Sequence, residues 1–340
     1  MLIKKRLERF LEIQGKRMLF YHQDADGVCS AALMLKFYPF RAEAREGPGL
    51  SDIIPGLLKE KPDLLCFLDL PIDQEWKDFR KLDSALQAIL VIDHHIPERD
   101  LNSERTLYIN PMLKSQTYQA ASYLVFKLLK ELGKPVEPYS WIACIGIIGD
   151  HAVEGCRELI EYCRKFWPFE DVWKSGLARA SELISAAITL KGQRGAKFCL
   201  DLLLRSEDLS EFLFDPGLQE WKERLDRELE KLERDFQLKR EEIGNLLLYE
   251  IKSDLNITSL FASRMAVKNP ERIILIRQRS DSRWKLSIRA PPGIDLSALV
   301  KSCVKGIGKG GGHRQAAGAT ISDWEVFRKR FIQALKGSSP

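Results

Sequence analysis

Short apolar runs alternate with amphipathic stretches through the first third of the chain. Met18 to His22, Leu64 to Asp69 and Ala88 to Asp93 have strand length, with Phe40 to Arg45 and Leu107 to Asn110 as weaker members. Between the first of these runs, Asp26 to Phe37 carries an apolar helical face. Alternation of this kind predicts an α/β fold with a parallel sheet covered on both faces. His22, Asp69 and Asp93 close three of the runs, and ligand sites in open α/β sheets form beyond the carboxyl ends of strands. From Thr117 to about Ser206 the pattern is mainly helical. Gly217 to Gly244 predicts one charged helix with an apolar stripe at Leu218, Trp221, Leu225, Leu229, Leu232 and Phe236. A connecting helix packed along that stripe is expected; a coiled-coil dimer would need a longer repeat. The pattern then restarts, with strands at Leu246 to Ile251, Arg272 to Arg277 and Trp284 to Arg289. Helices are expected at Ser259 to Lys268, Ser297 to Cys303 and Trp324 to Leu335. The expected division is a sheet domain over 1–216, a connecting helix over 217–244 and a smaller α/β domain over 245–340.

Length supports that division, since 340 residues suit two domains better than one. The longest apolar run, Ile142 to Gly149, is too short to span a bilayer. The basic N-terminal stretch contains Glu8 and Glu12 and lacks the apolar core of a signal peptide, so a cytoplasmic location is expected. The seven cysteines are scattered, include no CxxC pair and read as buried free thiols. A net charge of +5 permits a polyanionic partner without demonstrating one.

The chemistry concentrates in histidines and aspartates. The five histidines, His22, His94, His95, His151 and His313, all stand at strand ends or in Gly- or Asp-rich segments. In HQDADG, an extended chain would send His22, Asp24 and Asp26 to one side, and Gly27 would permit a tight entry into the next helix. Taken alone, that segment reads equally as a helix N-cap with solvated acids. Asp69, the triplet Asp93-His94-His95 and Asp150 each follow an apolar run, where buried acids need a counter-charge. Mixed nitrogen and oxygen donors suit Mn²⁺, with Mg²⁺, Co²⁺ or Zn²⁺ as alternatives. The donor count suits two ions sharing a bridging carboxylate, an arrangement used for phosphoryl displacement.

HQDADG, FLDLP, VIDHH and GIIGD, in this order, resemble the four motifs of the DHH phosphoesterase superfamily. GKGGGHRQAAGA resembles the glycine-rich motif of its associated C-terminal domain. The resemblance implies that His22 and Asp24 bind one metal ion, that Asp26, His94 and Asp150 bind a second, and that Asp69 bridges them. It also implies that His95 contacts the scissile phosphate, that Asp93 orients the histidine pair, and that a metal-activated water is the nucleophile. His151 has no role in the resemblance; it is either a substrate contact or a surface residue.

The segment from Gly306 to Gly318 reads as a glycine-rich loop whose backbone N–H groups could cradle a phosphate. Lys309, Gly310, Gly311, Gly312, His313 and Arg314 are its candidate substrate contacts. The resemblance implies a cleft suited to single-stranded nucleic acid. The leading expectation is a RecJ-like exonuclease, since HxDxDG resembles the archaeal RecJ-like form. Two alternatives are an oligoribonuclease (nanoRNase) acting on short oligonucleotides and a scaffold partner of replication or repair proteins. Retention of every expected ligand argues against a scaffold that has lost activity.

Overall fold

The computed structural model describes residues 2–115 and 117–337. The chain divides into two compact units, Met1–Glu223 and Arg224–Pro340.

The first unit begins with α1 (Leu2–Leu11), β1 (Arg17–His22), α2 (Ala25–Phe37), β2 (Arg41–Arg45), α3 (Ile54–Glu60) and β3 (Leu64–Leu68). It continues through α4 (Trp76–Ala85), β4 (Ile89–Ile92) and β5 (Thr106–Ile109). The helices α5 (Ala121–Glu131), α6 (Ser140–Gly149), α7 (Arg157–Arg164), α8 (Gly176–Lys191), α9 (Gln193–Arg205) and α10 (Leu209–Leu213) follow. The five strands form one parallel sheet in the order β2-β1-β3-β4-β5. Its strands are nearly continuous apolar runs because both faces are covered. Leu19 and Tyr21 of β1, Cys66 and Leu68 of β3, and Leu90 and Ile92 of β4 enter one core with α2, α5, α6, α8 and α9. The alternate residues Met18, Phe20, Leu65, Phe67, Ile89 and Val91 enter a second core with Leu57 of α3 and Phe79 and Leu82 of α4. The strand order reverses between β1 and β3, and that reversal opens a crevice at the carboxyl edge.

The long helix α11 (Pro216–Lys239) runs from the first unit into the second. Its stripe is buried within this chain. Leu218 joins the first core, while the Phe236 ring meets Tyr249 at 5.5 Å and Phe261 at 6.0 Å. The helix stops at Lys239, short of the expected Gly244. The chain instead makes β6 (Glu241–Ile243), turns at Gly244 and pairs back as β7 (Leu246–Ile251). Helical periodicity carried no signal for that turn, because the charged residues before Gly244 suit either state.

The second unit continues with α12 (Thr258–Lys268), β8 (Ile273–Ser280), β9 (Arg283–Arg289), α13 (Leu296–Cys303), β10 (Gly308–Gly312), β11 (Ala316–Ile321) and α14 (Trp324–Gly337). Its six-stranded mixed sheet has the order β10-β11-β9-β8-β7-β6. The glycine-rich segment is therefore not a loop over its whole length. Gly308 to Gly312 form an edge strand paired antiparallel with β11, and only His313 to Gln315 make the turn. Close packing explains part of the glycine content: a Cβ on Gly310 would lie 2.8 Å from the Ala319 Cβ and 2.9 Å from a Val300 methyl. No helix among the described residues is long and apolar enough to cross a membrane.

Candidate metal centre

Three strand ends and two helix ends carry the candidate ligands. His22 is the last residue of β1. Asp24 is the N-cap of α2, in extended backbone, and its Oδ1 accepts the Gly27 N–H at 2.8 Å. Asp26 lies in the first turn of that helix, so helical geometry, not strand alternation, directs it. Asp69 follows β3 with a left-handed φ of 58°, a conformation that aspartate tolerates better than most residues. Asp93, His94 and His95 follow β4. Asp150 caps the carboxyl end of α6, where the helix dipole disfavours an anion and favours a nearby cation.

These residues assemble into sets of donors that lie within 4.8 Å of one another: His22, Asp24 and Asp69; Asp26, His94 and Asp150; and Asp69 with Asp93, His94 and His95. Asp69 stands between the first two sets. Its Oδ2 lies 3.5 Å from His22 Nδ1, and its Oδ1 lies 3.0 Å from His94 Nε2. His22 Nδ1 is 2.8 Å from Asp24 Oδ2, and His94 Nδ1 is 3.5 Å from Asp150 Oδ2. Several of these buried atoms are close without being aligned as hydrogen bonds: His22 Nδ1, His94 Nδ1 and both Asp69 oxygens have no hydrogen-bond partner. Buried polar groups are ordinarily satisfied. Orphaned nitrogen and oxygen donors converging at this edge fit a divalent cation in both number and type.

The electrostatics agree. Burial, then the neighbouring Asp24 and Asp26, push Asp69 up to about 7. Burial and Asp26 push Asp150 up to about 6. Burial opposes charge on His22 and His94, but the surrounding acids prevail and raise them to about 11 and about 10. The protein without metal thus holds protons that ligation must displace. The sign is fixed: apparent Mn²⁺ affinity rises with pH from about 6 to about 9, by roughly tenfold per pH unit for each proton displaced. Calorimetric titrations in two buffers of different ionisation heat measure the proton release. An affinity that stays flat or falls as pH rises would remove these residues from the ligand set.

Supports not singled out in the sequence hold the ligands in place. The N–H groups of Ala121 and Ser122, at the start of α5, donate to the two Asp26 oxygens at 2.6 and 3.0 Å. Tyr118 donates its hydroxyl to Asp150 Oδ2 at 2.6 Å. Asn110 donates to the His95 carbonyl at 2.9 Å, and Asp73 accepts the N–H groups of Glu98 and Arg99, which fastens the loop after β4. Asp93 is fully buried, and its Oδ1 lies 2.7 Å from His95 Nδ1. That pairing leaves Nε2 of the half-buried His95 for another partner. The spacing of these supports follows no local periodicity.

The remaining candidates lie in the second unit. Lys309, Gly312, His313 and Arg314 are exposed on β10 and its turn, while Gly310 and Gly311 are half-buried. Two other arginines of the second unit are engaged within it. The Arg277 guanidinium lies against the rings of Trp284 and Trp324, at 4.6 and 4.3 Å, and Arg289 donates to Ser259 and Ser263. His151 is exposed, next to Asp150 but outside the donor sets.

Comparison with known proteins places this geometry. The model of the DHH family N-terminal domain matches residues 16–147, and that of the DHHA1 domain matches residues 245–337. A crystal structure of exonuclease RecJ bound to manganese is similar at 20% identity with a TM-score of 0.75, covering 100% of this chain and 94% of that one. RecJ from Thermus thermophilus in complex with Mn²⁺ is similar at 21% identity and a TM-score of 0.74; this chain, covered in full, spans 55% of that protein. A pGpG-specific phosphodiesterase from Vibrio shares the fold at 14% identity and a TM-score of 0.57, covering 95% of this chain and 100% of that one. At these identities the likeness concerns the fold. No curated protein sequence is significantly similar to this chain.

Proposed function

We propose that this chain, whose residues 16–147 match the DHH family N-terminal domain and whose residues 245–337 match the DHHA1 domain, is a divalent-metal-dependent phosphodiesterase of RecJ-like type that degrades single-stranded DNA or RNA from an end. The observation that supports this reading most is the placement of Asp69, with one oxygen toward His22 and the other toward His94. That is the position a carboxylate shared by two ions would take.

In this reading His22 and Asp24 would hold one ion, Asp26, His94 and Asp150 would hold the other, and Asp69 would serve both. The mixed donor set favours Mn²⁺, with Mg²⁺ or Co²⁺ as substitutes. When bound, the ions supply charge stabilisation and lower the pKa of water. The chain supplies the rest. His95 donates from Nε2 to a phosphate oxygen, and Asp93 fixes its tautomer through Nδ1. Burial opposes charge on His95, but Asp93 outweighs it and raises the imidazole above its ordinary value. Lys309, His313 and Arg314, with the glycine N–H groups around them, offer a second grip on the backbone. Buried free cysteines suit a reducing compartment such as the cytoplasm.

The test is digestion of end-labelled single-stranded DNA and RNA, about 5 and about 30 nucleotides long, with Mn²⁺. Stepwise loss of the long substrates, abolished in His94→Ala, is the expected outcome, and the label position gives the polarity. Cleavage of the short substrates alone would move the reading to an oligoribonuclease. No cleavage by metal-loaded protein would overturn it and leave a scaffold role with replication or repair proteins.

A further inference from the structure

Exposed aromatic rings cluster next to Asp150, and the candidate metal centre leaves two of them unused. His151 follows Asp150 directly and adopts a left-handed φ of 54°. Its ring stacks on Trp173, with centroids 5.2 Å apart and planes 29° from parallel. Trp173 is 46% exposed, and His151 is exposed as well. A short turn, Val172–Lys174, carries the tryptophan, and its cap Asp171 accepts the Trp173 N–H at 3.0 Å. Tyr118 is 44% exposed, bonds to Asp150 at 2.6 Å and lies 4.9 Å from the His94 ring.

A histidine that merely shields a tryptophan would account for the stack but not for its place. Strained backbone at a non-glycine residue persists where the surroundings hold it, and such residues cluster at ligand sites. Large aromatic surface left in water forgoes burial energy unless something else covers it. A nucleobase covers such a surface well, because every base has a π-face.

We propose that Trp173 and His151 form a base-stacking seat for the nucleotide that lies beside the scissile phosphate, with Tyr118 lining the side next to His94. The inference rests on the reading of this chain as a nucleic-acid phosphodiesterase. The seat accepts any base, since stacking is tolerant of sequence, and binds purines more tightly than pyrimidines through their larger face.

The test compares intact single-stranded oligonucleotides with versions carrying one abasic unit at each of the first positions from the degraded end, with Mn²⁺ present. In the wild type, an abasic unit at one position raises KM by roughly tenfold and leaves kcat little changed. Trp173→Ala raises KM for the intact strand by the same factor and becomes indifferent to the abasic unit at that position. Trp173→Phe restores most of the preference, and His151→Ala shifts KM in the same direction by less. If Trp173→Ala slows intact and abasic strands alike, the pair only supports Asp150 and the seat is overturned. Wild-type cleavage with no dependence on base position overturns the seat alone. Failure of the wild type to bind or cleave any oligonucleotide overturns the functional reading and the seat together.

Discussion

Asp69→Asn should lower hydrolysis by about a thousandfold or more, the scale of losing a charge that stabilises the transition state, while leaving the metal-free fold at least as stable as before. The two halves have one cause. Asp69 is 1% exposed and its oxygens face both donor sets. Asparagine keeps the shape and tolerates the left-handed backbone, but it brings no charge to share between two ions. In the protein without metal, the carboxyl titrates near 7 instead of its ordinary 3.8 because burial and neighbouring acids disfavour the anion. A folded-state value raised in this way contributes stability while the group is protonated and loses it as pH rises from about 4 through about 7. At a pH near 8 the ionised side chain is therefore a net cost, which asparagine removes. Thermal unfolding without metal should show the variant melting at or above the wild type near pH 8, with the gap closing toward pH 4. Adding Mn²⁺ should raise the melting temperature of the wild type much more than that of the variant. Activity within tenfold of wild type would exclude Asp69 as a shared ligand.

Gly27→Ala should damage both stability and the centre. A Cβ at this position would fall 2.2 Å from the His22 carbonyl oxygen and 2.8 Å from the His22 nitrogen and carbonyl carbon. Those are backbone atoms at the end of β1, held in the sheet, and cannot swing aside as a side chain would. Relief has to come from moving α2 away from the strand. That motion carries Asp24 and Asp26 off their positions and breaks the Gly27 N–H bond to Asp24. A destabilisation of about 2–3 kcal/mol is expected from overpacking of this kind. Mn²⁺ affinity should fall by at least about tenfold, as when ligand supports are lost. Chemical denaturation and calorimetric metal titration read the two effects separately. A variant with wild-type midpoint and wild-type affinity would show that the contact yields without cost.

The candidate centre was legible early because its residues obey local rules. His22, Asp69 and Asp93 each end an apolar strand, and a parallel sheet puts such ends on one edge. Asp24 and Asp26 belong to a recognisable helix start. The second unit was harder. Glycines that suit a phosphate-cradling loop also suit an edge strand pressed against Ala319 and Val300, and composition does not distinguish the two. Nor does local pattern show that Arg277 lies against the rings of Trp284 and Trp324.

By itself, the sequence determined the strand and helix periods, the parallel α/β architecture of the first unit and which histidines and aspartates were candidates, because each depends on neighbours within a few residues. Only the tertiary structure decided that Asp69 divides its oxygens between His22 and His94. The same is true of the N–H groups of Ala121 and Ser122 that hold Asp26 from 95 and 96 residues away, and of His151 meeting Trp173 beside Asp150. Those pairings depend on how strands and helices cross over, and contacts between distant segments leave no period in the chain.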